Sequence, residues 1–444
     1  MMLETFFSIL VSFALCLSLV IAPAAADGEL FHRASENMLT VYGNANLDNV
    51  IDENDTLYLR GIIEGENERT ALADANADGQ INEADAAQIR SIMRGDAEEV
   101  TVLDHAGRAV TVDMPLERII PLGALNMRIV ASVNATDKVI GIDKGTINSE
   151  VLVSRAHPEL LELPDVTGNP EMMLKLEPDL IFMSSWIGGD AEKLQEKIQV
   201  PVVCIEPTLN GSSFYGPGGV FETWELLSFL LGSEEHTRGL IGYCEDEIHK
   251  LQKVTSNIPE EEKPRVYYSV HTVRAMTKYD PIQIAGGRNV AEELANPAPG
   301  RVVFEVPKEQ IIDWNPDIIM VHAFSEPSPS IQELLSEPSF QSIKAVNDER
   351  VYYVKGPISG IDPASSLTEC FYMAKLFHPQ AFADLDVEAK GNEMLKRMYG
   401  ADGLYTWMED YYHLYSWNGS VSEDETLEEG GTLSRLSSIT SNIF

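Results

Sequence analysis

The chain writes one phrase twice: "VPKEQIIDWNPDII" spans residues 306–319 and "NPEMMLKLEPDLI" spans residues 169–181. Each copy carries a Pro and a Glu near its start, then apolar residues, then Pro-Asp and a further apolar run. Glu309 lies seven residues before Pro316, and Glu171 lies seven residues before Pro178. A Pro at the entrance suits the first turn of a helix, where its missing N–H is not needed. A Glu in that turn faces the positive end of the helix dipole. The second Pro stops the helix, and the apolar residues after it read as a strand buried on both faces. A Glu at one helix start is structurally cheap. The same Glu at the same place twice predicts two lobes built on one plan, with matched outward contacts.

Outward from the two phrases, short apolar runs alternate with helical stretches. Strands are expected at Val139–Ile142, Leu180–Met183 and Val202–Ile205 in the first half. In the second half they are expected at Val266–Val270, Ile318–Val321 and Val351–Val354. Alternation of this kind predicts parallel sheets covered by helices. Ahead of them, "EVTVLDHAGRAVTVDM" (99–114) alternates apolar and polar residues around Gly107 and reads as a β-hairpin. Between the halves, Ser233 is a good N-cap with Glu234 and Glu235 behind it. Leu240, Cys244, Ile248 and Leu251 then keep one apolar face. A helix of roughly 22 residues, about 33 Å long, would join the lobes stiffly. "AGGRN" (285–289) follows no clear strand and lacks the later Gly or Lys of a phosphate loop, so it reads as a turn.

The 444 residues carry a formal net charge of −38, which argues against nucleic acid or an anionic membrane as partner. The expectation is a self-repelling monomer. "FFSILVSFALCLSLVIA" (6–22) is one apolar run, and Ala24 and Ala26 after it give a small-x-small cleavage site. This predicts an export signal over 1–26 and an extracytoplasmic protein, held to the membrane if the signal stays uncleaved, because the run nearly reaches spanning length. Cys16 leaves with that segment. Cys204, Cys244 and Cys370 remain, too scattered for a disulfide framework or a metal spacing. No Gly-x-Ser-x-Gly, His-Glu-x-x-His or Walker loop is present, which argues against an enzyme.

Near the start, "NANLDNVIDENDTLYLRGIIEG" (44–65) aligns without gaps on "DANADGQINEADAAQIRSIMRG" (74–95). Leu59, Ile62 and Ile63 match Ile89, Ile92 and Met93. In the second copy, oxygen side chains fall at Asp74, Asn76, Asp78, Asn82 and Asp85, with Gly79 at the sharp turn. That is the spacing of a loop offering a hard cation about six to eight oxygens. The first copy repeats it with Asn44, Asn46, Asp48, Asp52 and Asp55, but puts Asn49 in place of the Gly. Calcium is the expected cation, bound more tightly by the second loop; the bland alternative is an Asx-rich capping loop without metal. Asp at the last position and one helix per loop resemble the dockerin repeat, which implies a cohesin-type partner, in another protein or within the chain.

Residues 99 to about 415 resemble the class III periplasmic binding proteins. The likeness rests on "VLDHAGRAVTVDMPLERIIPLG", "DKVIGID", "LEPDLIF", "AGGRNVAEE", "VPKEQIIDWNPDII" and "DERVYYVKG". It implies a protein that captures a ferric siderophore, haem or corrinoid for an ABC importer. It also implies that Glu171 and Glu309 meet the two permease subunits. In that family the ligand sits between the lobes, against residues at strand ends and the loops after them. Here those places hold Arg128, Trp186, Tyr215, His271, Arg274, Tyr279 and His322. By the resemblance, Arg128 and Arg274 would neutralise an anionic chelate, Trp186 and Tyr279 would pack on its face, and His271 or His322 would reach a metal. Each also has a bland reading as an ion-paired Arg, a core aromatic or a backbone-bonded His. The alternative function is a calcium-dependent scaffold whose lobes no longer carry a ligand.

The expected fold class is therefore α/β: two Rossmann-like lobes with parallel sheets joined by one long helix, behind a small all-α dockerin-like domain. The expected divisions are a dockerin-like domain at 40–97, an N-terminal lobe at 98–232, a connector at 233–257 and a C-terminal lobe at 258–417. A disordered tail is expected at 418–444.

Overall fold

The computed structural model describes residues 38–147, 151–184, 191–205, 213–216, 218–294, 302–323, 329–356 and 362–414. The expected export signal, Cys16, Trp186 and the tail from Asn418 lie outside these residues.

Both copies of the doubled phrase fold as a short helix followed by a buried strand. In the first, the helix Pro170–Lys175 is capped by Asn169, whose side chain accepts from the Met172 N–H. In the second, Pro307 is the cap of the helix Lys308–Trp314. Glu171 and Glu309 stand exposed in the first turns. Each helix runs out at a left-handed residue just before the closing Pro, Glu177 at φ 50° and Asn315 at φ 42°.

The Asp of each Pro-Asp then ties the new strand to its neighbour. Asp179 donates its N–H to the Arg118 carbonyl, and its carboxylate accepts from the Glu117 and Arg118 N–H groups. Asp317 does the same at Arg265. The register follows, with Leu180 beside Ile119 in one lobe and Ile318 beside Val266 in the other. A carboxylate accepting main-chain N–H groups at a strand entrance fixes pairing that apolar side chains alone would leave free to slip.

The N-terminal lobe holds a three-stranded parallel sheet, Ile119–Pro121, Leu180–Met183 and Val202–Cys204 in that order. The strand expected at Val139–Ile142 is reduced to isolated bridges, Val139 to Ile119 and Ile142 to Asp165. Thr136–Lys138 takes a 3-10 turn instead, and at Gly141 a side chain would strike Leu176 and Val166.

The C-terminal lobe departs from the expected all-parallel sheet. Its central strands Arg265–His271, Ile318–His322 and Val351–Val354 are parallel. Arg274–Met276 returns antiparallel against the first of them, and Val303–Glu305 pairs antiparallel beyond it. His271 pairs directly with Arg274, a two-residue connection that permits only an antiparallel return. Within "AGGRN", read as a turn, Arg288–Asn289 forms a short parallel pair with Arg265–Val266.

The connector is the helix Glu234–Thr255, 22 residues long, and its expected stripe of Leu240, Cys244, Ile248 and Leu251 is buried. Ser233 occupies the cap position but makes no side-chain cap bond. Cys204, Cys244 and Cys370 are buried free thiols.

The repeat forms helices Glu53–Glu64 and Glu83–Arg94 around a small core that includes Leu59, Ala73, Ala86 and Ile89. Ile63 and Met93, expected on the apolar face, are 42% and 41% exposed. The hairpin Glu99–Leu103 with Ala109–Asp113 follows in the register expected around Gly107.

Candidate functional site

Three of the seven expected ligand residues belong to one buried polar network at the carboxyl ends of the C-terminal lobe's strands. Ligands of open α/β sheets bind outside such ends. Arg128 comes from the N-terminal lobe, on the helix Ala124–Ser132, every residue of which is buried. Gly123, at φ 85°, turns the chain from the strand Ile119–Pro121 into that helix. Asn126 on the same helix donates to the Leu122 carbonyl and to Ser184 Oγ at the end of the neighbouring strand.

From the C-terminal lobe come Lys355 and Gly356, just past the strand Val351–Val354, and the helix Pro363–Phe377 with its cap Asp362. Asp362 accepts from Lys355 Nζ, Ser365 Oγ at 2.7 Å, Tyr399 Oη at 3.1 Å and the Ala364 and Ser365 N–H groups. Burial would raise its carboxyl, but the charges of Lys355 and Arg128 outweigh that and hold it well below the usual carboxylate range. Glu369, about two turns deeper in the helix, is pushed up to about 7 by burial, against the hydrogen bonds it receives from Tyr279 Oη and the Gly356 N–H. One carboxyl held above its usual range and one held below it thus sit within one network.

Tyr279 stacks edge-on against Tyr268 at 4.9 Å, and Tyr268 lies 6.4 Å from the ring of His322. Tyr268 Oη is buried with no hydrogen-bond partner among the described residues. Gly356, at φ +65°, is required by this packing. A Cβ there would fall 2.2 Å from Tyr268 Oη and 2.6 Å from the His322 ring.

Of the remaining candidates, Trp186 lies outside the described residues. Tyr215 packs edge-on against Phe221 at 5.1 Å and is 37% exposed. Arg274 begins the antiparallel strand, opposite Glu305 in register. His271 ends its strand, with its side chain outside the described residues. Lys355, Asp362, Glu369 and Tyr268 were missed by sequence reasoning. A signal existed for Glu369, an acid inside the otherwise apolar stretch "LTECFYMA", where a buried carboxyl needs partners.

The two Asx loops bring their own oxygen donors to any cation. Asp55 and Asp85 are fully buried and accept from the N–H groups of Asn46 and Asp52, and of Asn76 and Asn82. Burial pushes Asp55 up to about 6, with Asp48 adding to it. Burial likewise raises Asp85, which also faces Asp74 and Asp78. Asp52 and Asn82 cap the helices that follow. Among the described residues, no three His, Cys, Asp or Glu converge closely enough to hold a metal. Asn and main-chain oxygens would therefore complete any cation shell.

A family model described as "Periplasmic binding protein" matches residues 119–357, more than half of the chain, and the chain belongs to that family. It is similar to the molybdate-binding protein MolA of Haemophilus influenzae, 22% identical over 326 residues, which are 67% of this chain and 90% of MolA. Solved structures agree in fold. MolA bound to molybdate is 19% identical with a TM-score of 0.57, over 68% of this chain and 98% of that chain. A periplasmic solute binding protein from Veillonella parvula is 23% identical with a TM-score of 0.55, over 71% and 97%. Ceue of Helicobacter pylori with Ni(II) bound is 20% identical with a TM-score of 0.54, over 69% and 99%.

The chain is thus an extracytoplasmic solute-binding protein of the kind that serves ABC transporters, a class of binding proteins and not of enzymes. Among the described residues no helix is long and apolar enough to cross a membrane.

Proposed function

We propose that this chain captures an iron chelate of siderophore or haem type, or a corrinoid, and delivers it to the permease dimer of an ABC importer. The observation that carries the reading is the doubled helix-and-strand frame. One frame stands in each lobe, each with an exposed Glu at its helix start, and Glu171 and Glu309 are the docking pair. Ligand would lie at the strand ends, near the network containing Arg128, Tyr279 and His322. Trp186, Tyr215, His271 and Arg274 remain candidates for the rim.

A second reading, a small oxyanion, is favoured by two buried cations, Arg128 and Lys355, at those strand ends. The relative named for molybdate points the same way.

We assign calcium to the loops Asp74–Asp85 and Asn44–Asp55, the first of these the tighter because its first ligand is the charged Asp74, where the other has Asn44, and because Gly79 stands at its turn. A cohesin-type partner follows only if this pair acts as a dockerin.

Purification from the native host, with an absorption spectrum and metal analysis, tests the ligand. Iron or cobalt with a chelate or corrinoid spectrum supports the first reading. Colourless protein carrying molybdenum supports the second. Protein that carries neither, and binds none of these when they are added, refutes both.

A further inference from the structure

The two copies of the repeat agree at their internal core and differ where they meet the rest of the chain. Leu59 and Ile89 match and are both fully buried within the small core. Asn49 replaces the matching Gly79, and its Nδ2 donates to Glu225 Oε1 at 3.3 Å. Gln88 stands where the first copy has Tyr58, and its Nε2 donates to the Glu99 carbonyl at 2.7 Å. Ile51 of the first loop and Ile92 of the second helix pack on the large core of the lobes, while their counterparts Ile81 and Ile62 pack only on the small one.

Main-chain bonds run alongside these contacts. The Tyr42 N–H donates to the Thr101 carbonyl and the Leu103 N–H to the Thr40 carbonyl, both at 2.8 Å. Leu39 and Val41, at 4% and 0% exposure, are buried in the same large core.

We infer that the two-helix module is an intramolecular brace, docked through Asn49 and Gln88 onto its own binding lobe and not tethered there as a free adaptor. The partner of its docking face is the edge strand Glu99–Leu103 together with the helix Val220–Leu231. That helix passes through Gly232 into the connector Glu234–Thr255, so the module braces the N-terminal lobe beside the element that joins it to the other. The other carboxylate oxygen of Glu225 is buried without a hydrogen bond among the described residues. The departure of the first loop from the cation-loop pattern at Asn49 is thereby explained without reference to any cation. The inference goes beyond the solute-binding reading and does not depend on calcium.

Hydrogen exchange of the full chain tests it, with Glu225→Ala made on the lobe side and Asn49→Gly plus Gln88→Ala on the module side. Native amides of 39–64 should exchange in step with those of 99–113. Glu225→Ala should speed exchange in 44–55 about five- to tenfold, the worth of one hydrogen bond. The module-side pair should do at least as much across 39–95, while the sheet Arg265–His271, Ile318–His322, Val351–Val354 stays protected. Glu225→Gln, which keeps the acceptor, should behave as the native chain. Unchanged exchange in both Glu225→Ala and the module-side pair, or native exchange at 39–64 far faster than at 99–113, overturns the brace.

Discussion

Asp362 holds the charge balance of the buried network, and its removal gives the most decisive stability prediction. Asp362→Asn keeps size and the helix cap but deletes the charge that faces Lys355 and Arg128. Lys355 is 1% exposed and Asp362 0%, so water cannot replace the lost partner. Breaking a buried pair from one side costs about 3–5 kcal/mol, because the surviving charge stays desolvated. Lys355→Met should cost less, about 2–3 kcal/mol, since Arg128 still faces the carboxylate. The double variant should fall short of the sum by about 1–3 kcal/mol, the range for groups in contact. Guanidinium unfolding of the native chain, both single variants and the double variant measures this directly. Additivity within about 0.5 kcal/mol would show that the pair is not coupled, and the network as described would be wrong.

Three further outcomes follow from other sites. Glu369 has a folded value raised from 4.5 to about 7, so the stability its protonated form supports is complete below the unfolded value and is lost as pH rises through about 7. That loss approaches about 3 kcal/mol. Glu369→Gln should lose unfolding midpoint less steeply than the native chain across this range and be more stable than it near pH 8; a profile parallel to the native one counts against it. Calcium at about a hundred times its Kd should stabilise the N-terminal module by about 2.7 kcal/mol, and Asp78→Ala should remove the effect. No calcium-dependent shift in the native chain would dismiss the cation loops. Glu171→Arg with Glu309→Arg should abolish transport while leaving solute affinity unchanged, because both carboxylates stand exposed away from the buried network. Normal uptake by that double variant would dismiss the docking pair.

Local pattern carried much of the architecture. The doubled phrase announced both helix-and-strand frames, and the stripe from Leu240 to Leu251 announced the connector. These are signals that neighbouring residues write into 3.6- and two-residue periods. The pattern missed the return strand Arg274–Met276, because three residues after a tight turn are too few for a period. It also promoted Val139–Ile142 to a strand, where Gly141 packs tightly and only single bridges form. The site was legible in fragments. Arg128, Tyr279 and His322 could be named as strand-end residues, but nothing local to Arg128 points to Asp362, more than two hundred positions away. The roles of Asp179 and Asp317 were equally hidden. Their spacing was visible in the doubled phrase, but their bonds to Arg118 and Arg265 depend on which strand lies alongside.

The central claim is that the lobes bind a small solute at the carboxyl ends of their strands. Tryptophan fluorescence titration of the purified chain against a ferric siderophore, haemin, cobalamin and molybdate tests this most directly. Saturable binding of one of them is expected, weakened at least about tenfold by Arg128→Met in a folded variant, as when a charged contact of about 1.4 kcal/mol or more is lost. Saturable binding that Arg128→Met leaves unchanged, or no binding of any of the four, would contradict it.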